Sequence, residues 1–120
     1  MKVLIIDDSP TEAHVVKGYL ARQNMEVLVA HNAEDGIKVA QQERPDAILM
    51  DVVMPGMNGF QATRFLTKDP QTSHIPIIIL TTKGAETDRV WGMRQGARDY
   101  LVKPVEESEL ISRLKTLTSQ

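Results

Sequence analysis

The chain has 120 residues, of which 42% are apolar and 25% charged, a composition typical of one soluble globular domain. Its 14 basic and 16 acidic side chains give a net charge of −2, which argues against nucleic-acid binding through bulk electrostatics. The absence of cysteine excludes disulfide scaffolds, thiol catalysis and cysteine-ligated zinc. The apolar runs are far shorter than the roughly 20 residues of a membrane span, and no signal peptide is evident. We therefore expect one cytoplasmic domain over residues 1–120, without membrane insertion.

Short apolar runs recur along the chain and predict β-strands, because each run is too short for a helix. Several runs are continuous rather than alternating, as expected of strands that are buried on both faces of a parallel sheet. The predicted strands cover residues 3–6, 27–30, 47–50, 77–80 and 100–102.

The segments between these runs have helical spacing. We predict that the first helix has Ser9 as its N-cap and Pro10 in its first position, and that Glu12 completes a capping box. Asn32 and Asn58 are the predicted N-caps of the second and third helices. Five alternations of strand and helix predict a parallel sheet that is covered by helices on both faces.

Apolar residues at helical spacing indicate which side of each later helix faces the core. The third helix is expected to direct Phe65 inward, together with Ala62 and Leu66. The fourth covers about residues 86–95 and ends at Gly96. Its apolar stripe is expected to contain Val90, Met93 and Ala97, with Trp91 one position off this stripe, at a partly buried edge or in a partner-binding face. The buried stripe of the fifth helix is predicted to contain Leu110, Ile111, Leu114 and Leu117.

Acidic, hydroxyl and basic side chains follow four of the predicted strands, at the edge where an open parallel sheet binds its ligands. Asp7 and Asp8 follow the first strand, Asp51 the third, Thr81 the fourth and Lys103 the fifth. Neighbouring carboxylates repel one another unless a hard cation such as Mg²⁺ shares them. A metal opposite a lysine, with one carboxylate as nucleophile, suits phosphoryl transfer.

Each of these residues also has an ordinary structural explanation. The acid pair at 7–8 would help to cap the first helix, and Asp51 would occupy a turn. Thr81 would bond to backbone at a strand end, and Lys103 would be a solvated turn residue. Their coincidence at four strand ends favours the functional interpretation.

The motifs around these positions resemble the receiver domains of response regulators, the family that includes the chemotaxis regulators. The resemblance rests on the acid pair at 7–8, on Asp51 followed by Met-Pro-Gly at 54–56, on Thr81, on Gly-Ala at 96–97 and on Lys103 followed by proline. It spans the whole chain and implies a flavodoxin-like, doubly wound (βα)5 fold of the α/β class, with strand order 2-1-3-4-5. It also implies a single receiver domain at 1–120 with no output domain.

The resemblance implies a phosphorylation site next to a Mg²⁺ site. Asp51 is the expected phosphoacceptor. Asp8, Asp51 and the backbone carbonyl of Val53 are expected to bind Mg²⁺ directly, and Asp7 to act through a metal-bound water.

A second group of residues is expected to respond to the phosphoryl group. By resemblance, Thr81 and Lys103 contact its oxygens, and Tyr100 is the switch aromatic that moves when Thr81 moves. The Lys103–Pro104 peptide bond is expected to be cis, as in the family. The resemblance thus implies a phosphoacceptor switch rather than an enzyme.

Segments 60–64, 81–83 and 90–100 resemble, more narrowly, the single-domain twitching-motility regulators of type IV pilus chemosensory systems. Phototaxis regulators share parts of these segments. The likeness implies phosphorylation by the histidine kinase of a chemosensory array. It also implies a monomer with an effector-binding face on the fourth helix, fifth strand and fifth helix. A phosphate sink that drains the kinase is an alternative role.

Val53 and Lys83 depart from the chemotaxis pattern, in which these positions hold a polar residue and an acid. A valine side chain cannot orient the attacking water, and a lysine shields the acyl phosphate. We therefore predict slower self-dephosphorylation than in the chemotaxis regulators.

Other functions remain open from the sequence. A Mg²⁺-dependent phosphatase or phosphotransferase would use Asp7 as its nucleophile, but 120 residues leave little for a substrate pocket. A flavodoxin-like cofactor binder would have only one tryptophan and two tyrosines with which to stack a flavin. A receiver cut from a longer DNA-binding regulator would be expected to end in linker-like sequence, unlike residues 118–120.

Overall fold

Five strands alternate with five helices over residues 1–119, the part of the chain that the computed structural model describes. The strands are β1 (Lys2–Ile6), β2 (Glu26–Ala30), β3 (Ala47–Met50), β4 (Ile77–Thr81) and β5 (Asp99–Val102). The helices are α1 (Pro10–Ala21), α2 (Ala33–Glu43), α3 (Gly59–Lys68), α4 (Glu86–Arg94) and α5 (Glu107–Thr118). All strand pairs are parallel and the order is β2-β1-β3-β4-β5, which confirms the predicted topology. Over the same residues, none of the helices combines the length and hydrophobicity needed to cross a membrane.

The sheet separates two apolar cores, because successive strand residues point to opposite faces. On one face, Leu4 and Ile48 lie in a core with α2 and α3. On the other face, Ile5 and Leu49 lie in a core with α1 and α5. Strands β1, β3 and β4 are therefore buried from both sides, which explains why they appear in the sequence as continuous apolar runs.

The helix starts agree with the predicted N-caps but not with the predicted capping box at Glu12. The Ser9 side chain accepts a hydrogen bond from the Glu12 N–H at 3.2 Å, and Pro10 begins α1 as expected. The Glu12 carboxylate, however, bonds to Lys103 instead of returning to the Ser9 N–H. Asp7 Oδ1 accepts from that N–H at 2.9 Å, so the N-cap backbone is satisfied without Glu12.

The inward faces of α3 and α4 differ from those predicted. Phe65 is 46% exposed, and Phe60 occupies the buried position on α3 in its place. Throughout α4, all of which the structure describes, Gly92 is the one buried residue, and Trp91 is 51% exposed. A Cβ at Gly92 would lie 2.8 Å from the side chain of Ile79, so the point at which α4 packs closest to the sheet is a residue without a side chain. The apolar side chains of α4 consequently face solvent.

Candidate functional site

Three carboxylates meet at the carboxyl end of the sheet, because β1 and β3 are paired neighbours. Asp7 and Asp8 follow β1 and Asp51 follows β3, and one oxygen of each lies within 4.8 Å of the others. The Asp51 N–H donates to the Ile6 carbonyl at 2.9 Å, which ties the two strand ends together. Asp7 and Asp51 are buried and Asp8 is exposed. These three residues, the acid cluster, concentrate negative charge at one point of the sheet edge.

Lys103 places an ammonium group against the acid cluster. Its backbone N–H donates to the Thr81 carbonyl at 2.8 Å, which anchors the residue at the end of β5. Its Nζ atom lies 2.7 Å from Asp7 Oδ2 and 3.8 Å from Asp51 Oδ2, and it also bonds to the Glu12 carboxylate. Burial lowers the pKa of Lys103, but the hydrogen bonds to Asp7 and Glu12 and the negative charges of Asp51 and Asp7 together raise it above its ordinary value. The ammonium therefore stays charged at neutral pH.

Asp51 has one oxygen bonded to backbone and the other directed at Lys103. Oδ1 accepts from the Val52 N–H at 2.8 Å, and Oδ2 is 3.8 Å from the ammonium, which is beyond hydrogen-bond distance. Burial raises the pKa of Asp51; Lys103 opposes this effect and Asp7 adds to it. Both oxygens of Asp7, in contrast, accept hydrogen bonds, from the Ser9 N–H at 2.9 Å and from Lys103 at 2.7 Å.

The acid cluster has the composition of a site for a hard divalent cation. Its three carboxylates outnumber the positive charge of Lys103, and carboxylate oxygens at this spacing are the ligands that Mg²⁺ takes in proteins. Val53, whose carbonyl was the further expected ligand, lies in the loop after β3 with its side chain 53% exposed. The residues present therefore fit Mg²⁺ in both chemistry and spacing.

Thr81 and Tyr100, the expected switch residues, are both buried and both contact the backbone of Lys83. The Lys83 N–H donates to the Thr81 hydroxyl at 3.4 Å, and the Tyr100 hydroxyl donates to the Lys83 carbonyl at 2.6 Å. Burial raises the pKa of Tyr100 to about 12, so this hydroxyl remains a donor at neutral pH. Segment 81–83 thus joins the end of β4 to the aromatic ring on β5. The Lys103–Pro104 peptide bond beside it is cis, as expected.

Two residues contact the site although the sequence did not assign them to it. Glu12 bonds to Lys103, and Nδ1 of His31 lies 3.0 Å from the backbone carbonyl oxygen of Asp7. Glu12 is in the first turn of α1 and His31 directly follows β2, so both lie at the same sheet edge as the acid cluster. Their predicted positions at this edge were the one signal from which the sequence could have assigned them to the site. Spacing alone does not distinguish a carboxylate that caps a helix from one that binds a lysine.

Known proteins are similar in sequence to this chain over nearly its whole length. The family described as "Response regulator receiver domain" matches residues 3–115. The chain is 57% identical over 116 residues to the protein PilH of Pseudomonas aeruginosa, a match that covers 97% of this chain and 96% of PilH.

Solved receiver structures share the fold as well. The Vibrio cholerae chemotaxis protein CheY4 matches with a TM-score of 0.90 and 33% identity, over 97% of each chain. The receiver domain of the sensor histidine kinase PA1611 from Pseudomonas aeruginosa PAO1 is described with a magnesium ion coordinated in its active-site cleft. It matches with a TM-score of 0.92 and 29% identity, over 99% of this chain and 98% of its own. With the family match over residues 3–115, these likenesses show that the chain belongs to the response regulator receiver domains.

Proposed function

We propose that this receiver domain is a phosphorylation switch of a phosphorelay, in which Asp51 accepts the phosphoryl group from a histidine kinase with Mg²⁺ as cofactor. The contrast between the two buried acids carries the proposal. Asp51 presents Oδ2 to an ammonium at 3.8 Å, whereas hydrogen bonds occupy both oxygens of Asp7. A nucleophile needs an available oxygen, and a cation beside it stabilises the charge of the transferred group. The same contrast argues against an enzyme that uses Asp7 as its nucleophile.

Residues of the chain supply position and charge for the transfer, which is most of what phosphoryl transfer requires. The Asp51 oxygen that faces Lys103 attacks phosphorus, the bond between phosphorus and the donor histidine nitrogen breaks, and an acyl phosphate forms. Lys103 and the Thr81 hydroxyl then contact its oxygens. Asp8, Asp51 and the Val53 carbonyl would hold Mg²⁺, with Asp7 acting through a water. When bound, Mg²⁺ neutralises charge on the phosphoryl oxygens.

The switch would follow from the shared contact of Thr81 and Tyr100 with Lys83. Phosphorylation adds about −1.5 to −2 charge units at Asp51, and the Thr81 hydroxyl moves toward them. Tyr100, whose hydroxyl bonds to the same backbone segment, then turns into the space that Thr81 leaves. Phosphorylation acts by favouring one of two states of the domain.

An effector would bind on the face formed by α4, β5 and α5. Three apolar residues of α4, Val90, Trp91 and Met93, are 42%, 51% and 39% exposed, and Val102 on β5 is 45% exposed. These side chains lie on the elements next to Tyr100, so a change at Tyr100 alters the surface that a partner contacts.

The identity with PilH, 57% over nearly the full length of both proteins, supports a receiver domain that acts in type IV pilus twitching motility, as the likeness of segments 60–64, 81–83 and 90–100 to the twitching-motility regulators implies. The donor would then be the histidine kinase of a chemosensory array. A phosphate sink would use the same phosphorylation site but would need no effector. A partner whose affinity for this protein rises on phosphorylation would therefore exclude the sink.

Intact-mass spectrometry tests the proposed function directly. The protein is incubated with acetyl phosphate and Mg²⁺, and a parallel sample contains EDTA in excess over the metal. We expect the mass of one phosphoryl group to be added in the first sample and not in the second, because the acid cluster repels an anionic donor unless a cation neutralises it. Folded protein that gains no phosphoryl group with Mg²⁺ present would contradict the proposal.

The decay of the phosphoryl group tests the prediction for Val53 and Lys83. The double variant Val53→Asn/Lys83→Glu is expected to lose the phosphoryl group about tenfold faster than the parent, since one hydrogen bond to the attacking water is worth about 1.4 kcal/mol. Mass spectra taken after removal of donor give both lifetimes. Val90→Asn, at another exposed valine and outside the phosphorylation site, is the control. Equal lifetimes of the double variant and the parent would show that these side chains do not control the water.

A further inference from the structure

Glu12 contacts the proposed catalytic lysine from outside the acid cluster. It belongs to the first turn of α1, yet its carboxylate bonds to the Lys103 ammonium instead of the helix backbone. We propose that Glu12 is a positioning residue that holds Lys103 away from Asp51 and thereby restrains phosphorylation. This inference rests on the proposed function and assigns a regulator to the same site.

The ammonium of Lys103 has a limited number of donors, and its present partners compete with a phosphoryl group for them. An ammonium offers three N–H donors. Asp7 accepts one at 2.7 Å and Glu12 accepts another, while Asp51 Oδ2 remains at 3.8 Å. Lys103 therefore keeps one N–H donor for a phosphoryl group on Asp51, and it can direct a second donor to that group only by giving up one of its two existing bonds.

Glu12 is the partner that Lys103 releases more readily. The Asp7 side chain is 5% exposed and would lose its counter-charge in a buried setting, whereas the Glu12 side chain is 47% exposed and can be solvated. After release, the Glu12 carboxylate still stands near a group of about −2 charge. Both the lost ion pair and the remaining repulsion raise the free energy of the phosphorylated state.

The surroundings of the Glu12–Lys103 pair strengthen the interaction. Both residues line a cleft of 280 Å³ whose other walls include Val15, Tyr19 and Pro104. The Lys103 side chain itself is only 10% exposed. An ion pair beside apolar walls is screened less by water and salt than one on an open surface. We therefore expect a measurable effect from removing the Glu12 charge.

The test compares Glu12→Gln with Glu43→Gln in two measurements. Glu43 also pairs with a lysine, Lys2 at 3.2 Å, but at the opposite end of the sheet. With acetyl phosphate and saturating Mg²⁺, Glu12→Gln is expected to be phosphorylated about two- to fivefold faster than the parent. Its affinity for Mg²⁺, measured by titration calorimetry without donor, is expected to fall about two- to fivefold, because the released Lys103 charge repels the cation. Glu43→Gln should change neither value.

The opposite signs of the two effects separate positioning from damage, since a disturbed site would lose both activity and metal affinity. Phosphorylation of Glu12→Gln at the parental rate or more slowly would overturn the inference. If the parent itself is not phosphorylated, the proposed function fails, and the Mg²⁺ titration decides alone. Unchanged Mg²⁺ affinity in Glu12→Gln would then overturn the inference, as would a lowered unfolding temperature of that variant. Weakened affinity at an unchanged unfolding temperature would support the control of Lys103 by Glu12.

Discussion

Asp51→Asn is expected to abolish phosphorylation completely while leaving the fold intact. The amide keeps the size of the carboxylate and its oxygen can still accept from the Val52 N–H, which donates to Asp51 Oδ1 at 2.8 Å. It lacks the nucleophilic oxygen that forms the acyl phosphate. Intact-mass spectra after incubation with acetyl phosphate and Mg²⁺ should show a phosphoryl group in the parent and none in the variant.

The matched control is Asp46→Asn, because Asp46 lies just before β3 at the other end of the same strand. Asp46 Oδ2 accepts from the Lys2 N–H, far from the acid cluster, so this variant should be phosphorylated like the parent. A phosphoryl group on Asp51→Asn would locate the phosphoacceptor elsewhere, with Asp7 and Asp8 as the first positions to examine.

Asp51→Asn should also change the pH dependence of stability. Burial raises the pKa of Asp51 in the folded state above its ordinary value of 3.8, so folding disfavours the charged carboxylate. The Asp51 carboxyl group contributes to the stability of the fold while it is protonated. This contribution is complete at pH values below the pKa of Asp51 in the unfolded chain, and it is lost as pH rises through the raised pKa of the folded state. Without metal at neutral pH, the variant is therefore expected to unfold at a higher temperature than the parent. The difference should shrink as pH falls through the raised folded pKa and should be smallest below about pH 4, near the unfolded pKa.

Gly59→Ala is expected to lower the free energy of unfolding by about 3 kcal/mol or more, the upper range for inserting a methyl group into a packed site. A Cβ on Gly59 would lie 2.0 Å from the Asp51 carbonyl oxygen and 2.8 Å from the Val52 Cα. Both neighbours are backbone atoms, so no side-chain rotation relieves the contact. Because the displaced backbone carries Asp51, the rate of phosphorylation should fall together with the stability.

Gly18→Ala provides the control for Gly59→Ala within another helix. The nearest atom to a Cβ at Gly18 is the tip of Arg22 at 4.0 Å, so the methyl group meets open space. Alanine is favoured over glycine in helices by about 1 kcal/mol, and this variant should gain stability. Urea unfolding measures both changes. A Gly59→Ala variant as stable as the parent would show that α3 does not approach the backbone of residues 51–52 as closely as the structure has it.

Local sequence patterns were sufficient to predict the alternation of strands and helices, the parallel sheet and the sheet edge that carries the acid cluster. The strand order 2-1-3-4-5 was predicted from the family resemblance. Continuous apolar runs at 47–50 and 77–80 identify strands that are buried on both faces, and the structure has them as β3 and β4. Asn32 and Asn58 cap their helices through contacts only three residues away. Parallel pairing then brings Asp7, Asp8 and Asp51 to one edge without further information. These features depend on residues that are neighbours in sequence or on the ends of strands.

Helix orientation depended on the tertiary structure. Phe60 and Phe65 are both apolar and lie on different sides of α3, so its sequence does not determine which of them is buried. The close approach of Gly59 to the backbone of residues 51–52, just after β3, decides it. On α4 the sequence suggests an apolar stripe, but the helix meets the sheet through Gly92 and leaves Trp91 exposed. Packing against a surface that comes from distant parts of the chain sets these faces.

At the site itself, the partner of Glu12 also depends on the tertiary structure and not on the local sequence. Its sequence position suits a capping box, and the residue does lie in the first turn of α1. The fold, however, brings Lys103 from 91 residues away within reach of its carboxylate, and Asp7 satisfies the Ser9 N–H that Glu12 would have capped. A bond to an ammonium is stronger than one to a neutral amide, so the long-range partner prevails. The sequence by itself determined which charged groups stand at the sheet edge, and only the tertiary structure decided which of them pair, because pairing depends on distances that the folded chain creates.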